Sequence, residues 1–281
     1  MKPSFDVLLV EDERVVMDAA ARILGPEGVS VDRAGDVAEA LQRLRAAEHR
    51  VILSDLMLPG FSGFDLLARV ASDRPQLPVI LITGYATIEN ALRAFKRGAF
   101  DFLPKPFDVP ELLGVVRRAL ACTEKRCWNP HGPARDLLAA DRKASREGLW
   151  FLGQHAWARV RGEEATFGVA ESWPGLVAPI VELRLPEVGT RVTQGLACVE
   201  LATADESIHR IWAPLGGTVV ATNPELGNDP DLLNRAPFSS GWLCRIAAAD
   251  LAGELDALTL RSGAATTAAR GGGEKEKSWS S

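Results

Sequence analysis

Hydrophobic and polar residues alternate in two different ways along this chain. Up to about residue 122, five short apolar runs are separated by five amphipathic stretches, and in the second stretch apolar residues recur at the helical spacing. The apolar runs are Asp6–Val10, Val29–Arg33, Val51–Ser54, Val79–Ile82 and Phe100–Leu103, and the amphipathic stretches are Val15–Leu24, Val37–Ala47, Phe64–Ala71, Ile88–Arg97 and Val109–Leu120. Almost wholly apolar strands are buried on both faces, and strand–helix alternation makes them parallel. We therefore predict an α/β domain over residues 1–122, with a doubly wound, five-stranded parallel sheet.

The pattern changes after residue 122. Residues 123–147 contain the Pro- and Gly-rich stretch Cys127–Pro133, which predicts a linker, with a short charged helix over Ala134–Arg146. Residues 148–250 carry short β-type runs between frequent turn residues, which predicts an all-β sandwich or barrel. The predicted strands are Ala156–Val160, Ala165–Val169, Ile180–Leu185, Ala197–Leu201, Ile208–Ala213, Gly217–Thr222 and Trp242–Ile246. Residues 251–281 are rich in Ala, Thr, Gly, Ser and charge, and we expect a disordered tail there.

Composition narrows the class of protein further. A length of 281 residues fits two ordinary domains, and a net charge of -5 gives no reason to expect a nucleic-acid partner. No apolar run is long enough to span a membrane, and Asp6 interrupts the N-terminus before the core of a signal peptide develops. We expect a cytoplasmic protein without a membrane partner. The four cysteines (Cys122, Cys127, Cys198 and Cys244) fit unreactive thiols better than a zinc site.

Chemically distinctive residues follow the apolar runs of the first domain. Parallel strands bring their carboxyl ends to one edge of the sheet, where sites form. Glu11, Asp12 and Asp55 would form an acidic cluster there, and its self-repulsion predicts a bound Mg²⁺. Asp55 is then the candidate nucleophile that forms an acyl phosphate. Lys105 would supply positive charge to the phosphoryl oxygens, and Thr83 a hydroxyl donor.

Each of these residues also has a structural interpretation on its own. A lone aspartate after a strand usually caps a helix or forms a turn. Lys105 could be a solvated loop residue between two prolines, and Thr83 a buried hydroxyl that closes a turn. The functional interpretation is favoured because all of the residues occur as an ordered set, each after its own strand.

These residues resemble the receiver domain of bacterial two-component response regulators. The resemblance covers residues 1 to about 122 and includes the acidic pair, the stretch D-L-M-L-P-G-F-S-G, the segment T-G-Y-A and the ending K-P-F. It implies a flavodoxin-like fold and Mg²⁺ bound by Glu11, Asp12, Asp55 and the backbone carbonyl of Met57. It implies that Phe102 rotates inward when Thr83 moves toward the phosphate. It further implies a sensor histidine kinase or phosphotransfer protein as donor, a possible homodimer through the receiver, and no catalysis beyond the domain's own phosphorylation and dephosphorylation.

Several strings in the second domain resemble the glycine cleavage system H protein, a lipoyl carrier with a biotinyl/lipoyl-type β-sandwich. The most specific are A-P-L-G-G, directly after Trp212, and N-D-P-D-L-L-N over residues 228–234, which resembles the family's N-P-x-L-L-N. In that family a lysine shortly before A-P-L-x-G bears the lipoyl arm, and the matching position here is Glu206. A carboxylate cannot form the lipoyl amide, and the sequence has no lysine between Lys143 and Lys275. We therefore expect no lipoate, and interpret the domain as a protein-interaction output with an unknown downstream partner.

Three other functions remain open at this stage. The chain could be a regulated carrier related to the glycine cleavage system, a phosphate-sink receiver with a passive appended domain, or a transcription factor. The missing lysine opposes the first, and the absence of a helix-turn-helix pattern after residue 122 opposes the third. We interpret His155, Trp157 and Trp212 as core or edge residues of the second domain rather than as functional groups.

Overall fold

A computed structural model describes residues 2–128, 149–170 and 173–261 of the chain. Within them, five parallel strands form a first sheet of order β2-β1-β3-β4-β5, and one helix follows each strand. The strands are β1 (Ser4–Val10), β2 (Val31–Ala34), β3 (Glu48–Asp55), β4 (Val79–Thr83) and β5 (Asp101–Pro104). The helices are α1 (Arg14–Leu24), α2 (Val37–Ala46), α3 (Gly63–Asp73), α4 (Ile88–Lys96) and α5 (Val109–Glu124). The predicted α/β fold is confirmed.

Alternation along the strands explains why helices cover both faces of this sheet. In β1, Val7 and Leu9 pack with α1 and α5 on one face, while Leu8 and Val10 pack with α2, α3 and α4 on the other. All four side chains are fully buried. Helix starts are fixed locally: Asp36 caps α2 by accepting a 2.7 Å hydrogen bond from the Glu39 amide. The two packed faces leave only the sheet edges free to carry a site.

The second half of the chain is antiparallel, as predicted. A seven-stranded sheet has the order β10-β13-β14-β8-β7-β6-β15, and a three-stranded sheet has the order β12-β11-β9. The strands are β6 (Leu149–Leu152), β7 (Ala156–Arg161), β8 (Glu164–Val169), β9 (Ile180–Arg184), β10 (Arg191–Val192), β11 (Ala197–Thr203), β12 (Ile208–Trp212), β13 (Gly217–Thr222), β14 (Trp242–Ala248) and β15 (Thr259–Arg261). Short helices α6 (Leu232–Arg235) and α7 (Leu251–Leu255) complete it. We call this second unit the β domain.

The predicted tail is wrong over its first residues. α7 and β15 follow Asp250, and β15 pairs antiparallel with β6, with Leu260 opposite Trp150. This pairing is long-range, so the local composition after residue 250 did not reveal it. The rest of the predicted tail, and the predicted helix over Ala134–Arg146, lie outside the described residues.

The cysteine prediction is wrong for one pair. Cys122 and Cys127 form a disulfide, with their Cα atoms 5.1 Å apart, because the chain turns back after α5 and the Cys127 amide hydrogen-bonds to the Cys122 carbonyl. Cys198 and Cys244 are free thiols. Burial raises the pKa of Cys198, and it raises the pKa of Cys244 to about 12, so both stay protonated at neutral pH.

The β domain packs against α4, β5 and α5 of the first domain. At the centre of this interface Asp101, at the start of β5, forms an ion pair with Arg118 of α5. Arg118 lies 3.8 Å from the centre of the Trp173 ring, a cation–π contact to the β domain. The Trp212 indole NH lies 3.3 Å from the Asp101 carboxylate. The two domains therefore share one buried charge pair.

Burial acts against both members of this pair. It raises the pKa of Asp101 and lowers the pKa of Arg118, and each charge opposes that effect on the other. Two histidines of the β domain, His155 and His209, lie beside the pair and are almost fully buried. The interface therefore holds its charges at a high desolvation cost and depends on their staying matched.

We predict that Arg118→Ala lowers the free energy of unfolding by about 3–5 kcal/mol, because it leaves the Asp101 carboxylate buried without its cation. Urea denaturation measures the change. Arg33→Ala is the matched control, because Arg33 pairs with Asp18 at 2.7 Å on the surface, and it should cost at most about 1 kcal/mol. Equal effects of the two substitutions would contradict the assignment of the pair to the buried interface.

We also predict that the stability of the chain falls as the pH drops below about 6.5. Burial, and then the nearby Arg118, lower the pKa of His155 well below 6.5 and the pKa of His209 to about 3. Between pH 6.5 and the folded-state pKa of each histidine, the unfolded chain therefore binds more protons than the folded chain. In that pH range each histidine lowers the free energy of unfolding by about 1 kcal/mol for each unit that the pH falls.

The charged groups that face these rings are Asp101 and Arg118 for His155, and Arg117, Arg118 and Asp205 for His209. Denaturation series at about pH 7 and about pH 5.5 give the slope, which His209→Gln should make shallower. A slope that is unchanged in His209→Gln would show that this histidine is not buried in its neutral form.

Candidate functional site

The residues predicted from the sequence meet at the carboxyl edge of the parallel sheet. Glu11 and Asp12 follow β1, Asp55 ends β3, Thr83 ends β4 and Lys105 follows β5. The register places these ends side by side: β1 residue 10 pairs with β3 residue 54, β3 residue 55 with β4 residue 82, and β4 residue 83 with β5 residue 104. The strand ends thus converge as the topology rule requires.

The Lys105 ammonium bridges two carboxylates of the cluster. Its Nζ lies 2.5 Å from Asp55 Oδ2 and 2.6 Å from Glu11 Oε2. Burial lowers the pKa of Lys105, but the hydrogen bonds to Asp55 and Glu11 outweigh it and raise the pKa above its usual range. Burial also raises the pKa of Glu11, which is fully buried, and Lys105 partly opposes this shift. The positive charge of Lys105 therefore offsets part of the negative charge of the carboxylates in the cleft.

The acidic cluster has the composition of a Mg²⁺ site. One ligand oxygen from each of Glu11, Asp12 and Asp55 lies within 4.8 Å of the others, and Asp12 is exposed while the other two are buried. Oxygen ligands with an open, solvent-facing side suit Mg²⁺, which keeps several waters. The backbone NH of Met57 donates a 2.9 Å hydrogen bond to Asp55 Oδ1. A Met57 carbonyl ligand stays a prediction.

Thr83 is fully buried beside this cleft. Its hydroxyl oxygen accepts a 3.0 Å hydrogen bond from the Tyr85 amide, and its carbonyl accepts a 2.8 Å bond from the Lys105 amide. The bond from the Tyr85 amide closes a turn, as the structural interpretation of Thr83 predicts. The hydroxyl proton is not used in that bond, so the same residue can still donate to an incoming oxygen.

Phe102 lies under the β domain. Its side chain is 2% exposed, and its ring meets the Trp212 ring edge to face with centroids 5.8 Å apart. Trp157, in contrast, lies in the core of the β domain against Phe238, and its indole NH donates to the Pro237 carbonyl. The core interpretation thus describes Trp157, whereas Trp212 and His155 lie at the contact with the first domain. The switch role of Phe102 stays a prediction.

Glu206 occupies the tip of the hairpin between β11 and β12. Its side chain is exposed, and its φ is 62°, in the left-handed region. The neighbouring Asp205 and Ser207 accept hydrogen bonds from Arg117 of α5. The tip that would carry a prosthetic arm in a lipoyl carrier therefore lies next to the first domain.

Sequence reasoning missed the residues that join the two domains. Asp101, Arg118 and Gly114 are not among the residues singled out from the sequence. A glycine within an apolar helix is a usable signal, because it costs about 1 kcal/mol relative to alanine and so indicates a close approach. A Cβ at this position would lie 2.6 Å from the Ile208 carbonyl oxygen of β12.

Two families match the chain in succession. The response regulator receiver domain matches residues 7–117, and the glycine cleavage H-protein matches residues 149–269. Within the part of the chain that the model describes, no helix combines the length and the apolar character needed to cross a membrane.

Individual relatives resemble the first domain. The chain is 33% identical over 136 residues to the DNA-binding transcriptional regulator NtrC of Escherichia coli (strain K12), which is 47% of this chain and 29% of that protein. It is 38% identical over 117 residues to the nitrogen assimilation regulatory protein NtrX of Azorhizobium caulinodans, which is 41% of this chain and 26% of that protein. The chain thus spans less than a third of the length of these relatives.

Solved receiver domains also match less than half of this chain, but they are matched over almost their whole length. The receiver domain of NtrX from Brucella abortus is 38% identical, with a TM-score of 0.40, over 41% of this chain and 98% of that one. The CheY-like receiver domain protein from Methanospirillum hungatei JF-1 is 30% identical, with a TM-score of 0.41, over 44% of this chain and 98% of that one.

We predict that Mg²⁺ stabilises the wild-type chain and that Asp12→Asn removes most of this effect, because it takes one charge from the cluster. A ligand at 100 times its Kd stabilises by about 2.7 kcal/mol. The shift in melting temperature on adding MgCl₂ measures the effect. Asp73→Asn is the control, because Asp73 is exposed at the end of α3, where it pairs with Arg69 at 3.1 Å. Identical Mg²⁺ shifts in both variants would contradict the site.

Proposed function

Because this chain carries a response regulator receiver domain followed by a domain that matches the glycine cleavage H-protein family, we propose that it is a phosphorylation-dependent response regulator of a two-component phosphorelay. Asp55 is the proposed phosphoacceptor. The observation that supports this best is the Lys105 bridge between Asp55 and Glu11 at the carboxyl edge of the sheet. The Lys105 ammonium lies where it can also bind the oxygens of a phosphoryl group added to Asp55.

The proposed reaction is a phosphoryl transfer to the Asp55 carboxylate. The donor is a phosphohistidine of a sensor kinase or of a phosphotransfer protein. A carboxylate oxygen of Asp55 attacks phosphorus, the new P–O bond forms as the P–N bond breaks, and the electron pair leaves with the imidazole nitrogen. When bound at Glu11, Asp12 and Asp55, Mg²⁺ supplies positive charge that offsets the charge of the phosphoryl oxygens.

The chain's own residues do the remaining work. The Met57 amide already donates to Asp55 Oδ1 and so orients the carboxylate. Lys105 exchanges part of its bonding to Asp55 Oδ2 for a phosphoryl oxygen. Thr83 donates its hydroxyl proton to another phosphoryl oxygen and draws toward it. Phe102 follows Thr83 inward, which changes the face formed by α4, β5 and α5.

We propose that the β domain is the output of this switch and does not carry lipoate. The position that matches the lipoyl lysine is Glu206, whose carboxylate cannot form the amide. The residues on either side of Glu206, Asp205 and Ser207, are hydrogen-bonded to Arg117, so the hairpin tip contacts the receiver. The downstream partner is a protein that binds the β domain, and a receiver homodimer is a further possible product of the change.

We predict that acetyl phosphate with Mg²⁺ adds one phosphoryl group to the wild-type chain and none to Asp55→Asn. The reason is that the Asp55 carboxylate, at the end of β3, contacts Lys105 through one oxygen and is oriented by the Met57 amide through the other. Intact mass spectrometry measures the label, and Asp18→Asn, an exposed aspartate of α1, should label like the wild type. Lys105→Ala should label at least about tenfold more slowly, since one charge-assisted hydrogen bond is lost. Equal labelling of wild type and Asp55→Asn would refute the proposal.

A further inference from the structure

We propose that the hairpin which presents the prosthetic arm in lipoyl carriers serves here as a latch on the receiver, released when Asp55 is phosphorylated. The latch is defined as residues 203–212, from the end of β11 through β12. Its release rests on the proposed function, because phosphorylation of Asp55 is the event that opens it. Its docking rests on the contacts described below.

The first support is steric. Gly114 lies in the middle of α5, in contact with β12 of the latch. A Cβ there would lie 2.6 Å from the Ile208 carbonyl oxygen and 3.1 Å from the His209 ring. Real Cβ atoms do not approach a backbone oxygen this closely, so only glycine allows the helix and the strand to meet at this distance. The bare helix surface is therefore fitted to the latch.

The second support is charge complementarity. Arg117 Nη1 donates 2.8 Å and 3.0 Å hydrogen bonds to the Asp205 carbonyl and the Ser207 hydroxyl. The same guanidinium pairs with Glu27 of the first domain, which fixes its position. Three residues after Ser207, in β12 of the latch, Arg210 pairs with Glu111 of α5. The docked latch therefore joins the receiver through two ion pairs of opposite direction, which sets its register on the helix.

The turn of the latch does not depend on the receiver for its shape. Asp205 Oδ1 accepts from the Thr203 hydroxyl at 2.5 Å and from the Ser207 amide at 3.4 Å. The Glu206 amide also bonds to the Thr203 carbonyl, at 3.0 Å. Because these bonds lie within the hairpin, the latch can leave α5 as a formed unit rather than by unfolding.

The third support is the link to the phosphorylation site. Trp212, at the end of the latch, packs on Phe102, and its indole NH reaches the Asp101 carboxylate. Phe102 lies in β5, three residues before Lys105, which follows the strand, and β5 lies beside the strand that ends in Thr83. A cavity of about 20 Å³ adjoins the two rings, so the contact is not filled completely. An inward movement of Phe102 would remove the ring on which Trp212 rests.

Coupling of this kind is reciprocal. If phosphorylation releases the latch, then an open latch must favour phosphorylation by the same factor, which for ordinary coupling is about five-fold or more. The receiver thus controls the hairpin, and the hairpin in turn restrains the receiver. This reciprocity gives the inference a test that does not depend on identifying the downstream partner.

Hydroxyl-radical footprinting of the full chain tests the proposal. Trp212 and Trp173 lie at the interface and are 4% and 2% exposed, whereas Trp157 is buried within the β domain itself. Acetyl phosphate with Mg²⁺ should raise the oxidation rate of Trp212 and Trp173 by about five-fold or more in the wild type and leave Trp157 unchanged. Because Trp157 would be oxidised faster only if the β domain unfolded, its oxidation rate distinguishes release of the latch from unfolding of the domain.

Two substitutions open the latch without phosphorylation. Gly114→Leu places a side chain against Ile208, and Arg117→Ala removes the contacts to the turn. Both should expose Trp212 without the phosphodonor and should shift the equilibrium between unlabelled and labelled Asp55 toward the labelled form by about five-fold or more. Gly227→Leu is the matched control, since nothing lies within 4 Å of a Cβ at Gly227, and it should behave like the wild type.

The possible failures are distinguishable. If intact mass shows a phosphoryl group on the wild type while Trp212 stays protected, the latch inference is overturned and the proposed function stands. If the wild type takes no label on Asp55, the proposed function and the phosphorylation-driven release both fail. If Arg117→Ala and Gly114→Leu leave Trp212 protected and labelling unchanged, the docking contacts described above do not restrain the receiver.

Discussion

The ammonium of Lys105, held between Asp55 and Glu11, is the contact on which the arrangement of the site depends. Three carboxylates gathered at one sheet edge repel one another, and two of them are withdrawn from water. The partly buried ammonium of Lys105 offsets part of that repulsion. The same lysine directly follows β5, the strand that carries Phe102.

β5 and α5 lie between the acidic cleft and the β domain. On one side they border the acidic cleft, and on the other they carry the Asp101–Arg118 pair on which the β domain packs. A packed interface with one matched buried charge pair resists gradual deformation and favours discrete arrangements. The strand that ends beside Lys105 thus also carries a carboxylate of the contact with the β domain.

Much of the fold followed from the sequence because its determinants are local. Apolar runs predicted the five strands of the first sheet and seven of the ten strands described in the β domain to within a few residues, but not β6, β10 or β15. The order of chemistry-bearing residues after those runs predicted the cleft that Lys105 and Asp55 occupy. What escaped prediction depends on distant segments. The pairing of β15 with β6, and the approach of Ile208 to Gly114, join residues that no periodicity links. Trp212 shows the same limit, since burial in a core and burial under a neighbouring domain demand the same kind of side chain.

The pairing of β15 with β6 affects how the molecule can be divided. A fragment cut at residue 250 would leave β6 as an uncovered strand edge, a template for association with other chains. An isolated first domain would likewise bring Phe95 and Phe102, which lie against Trp212 in the intact chain, into contact with water. Self-association of either half in isolation would then report on surfaces created by the cut, and the intact chain is the proper material for measuring its oligomeric state.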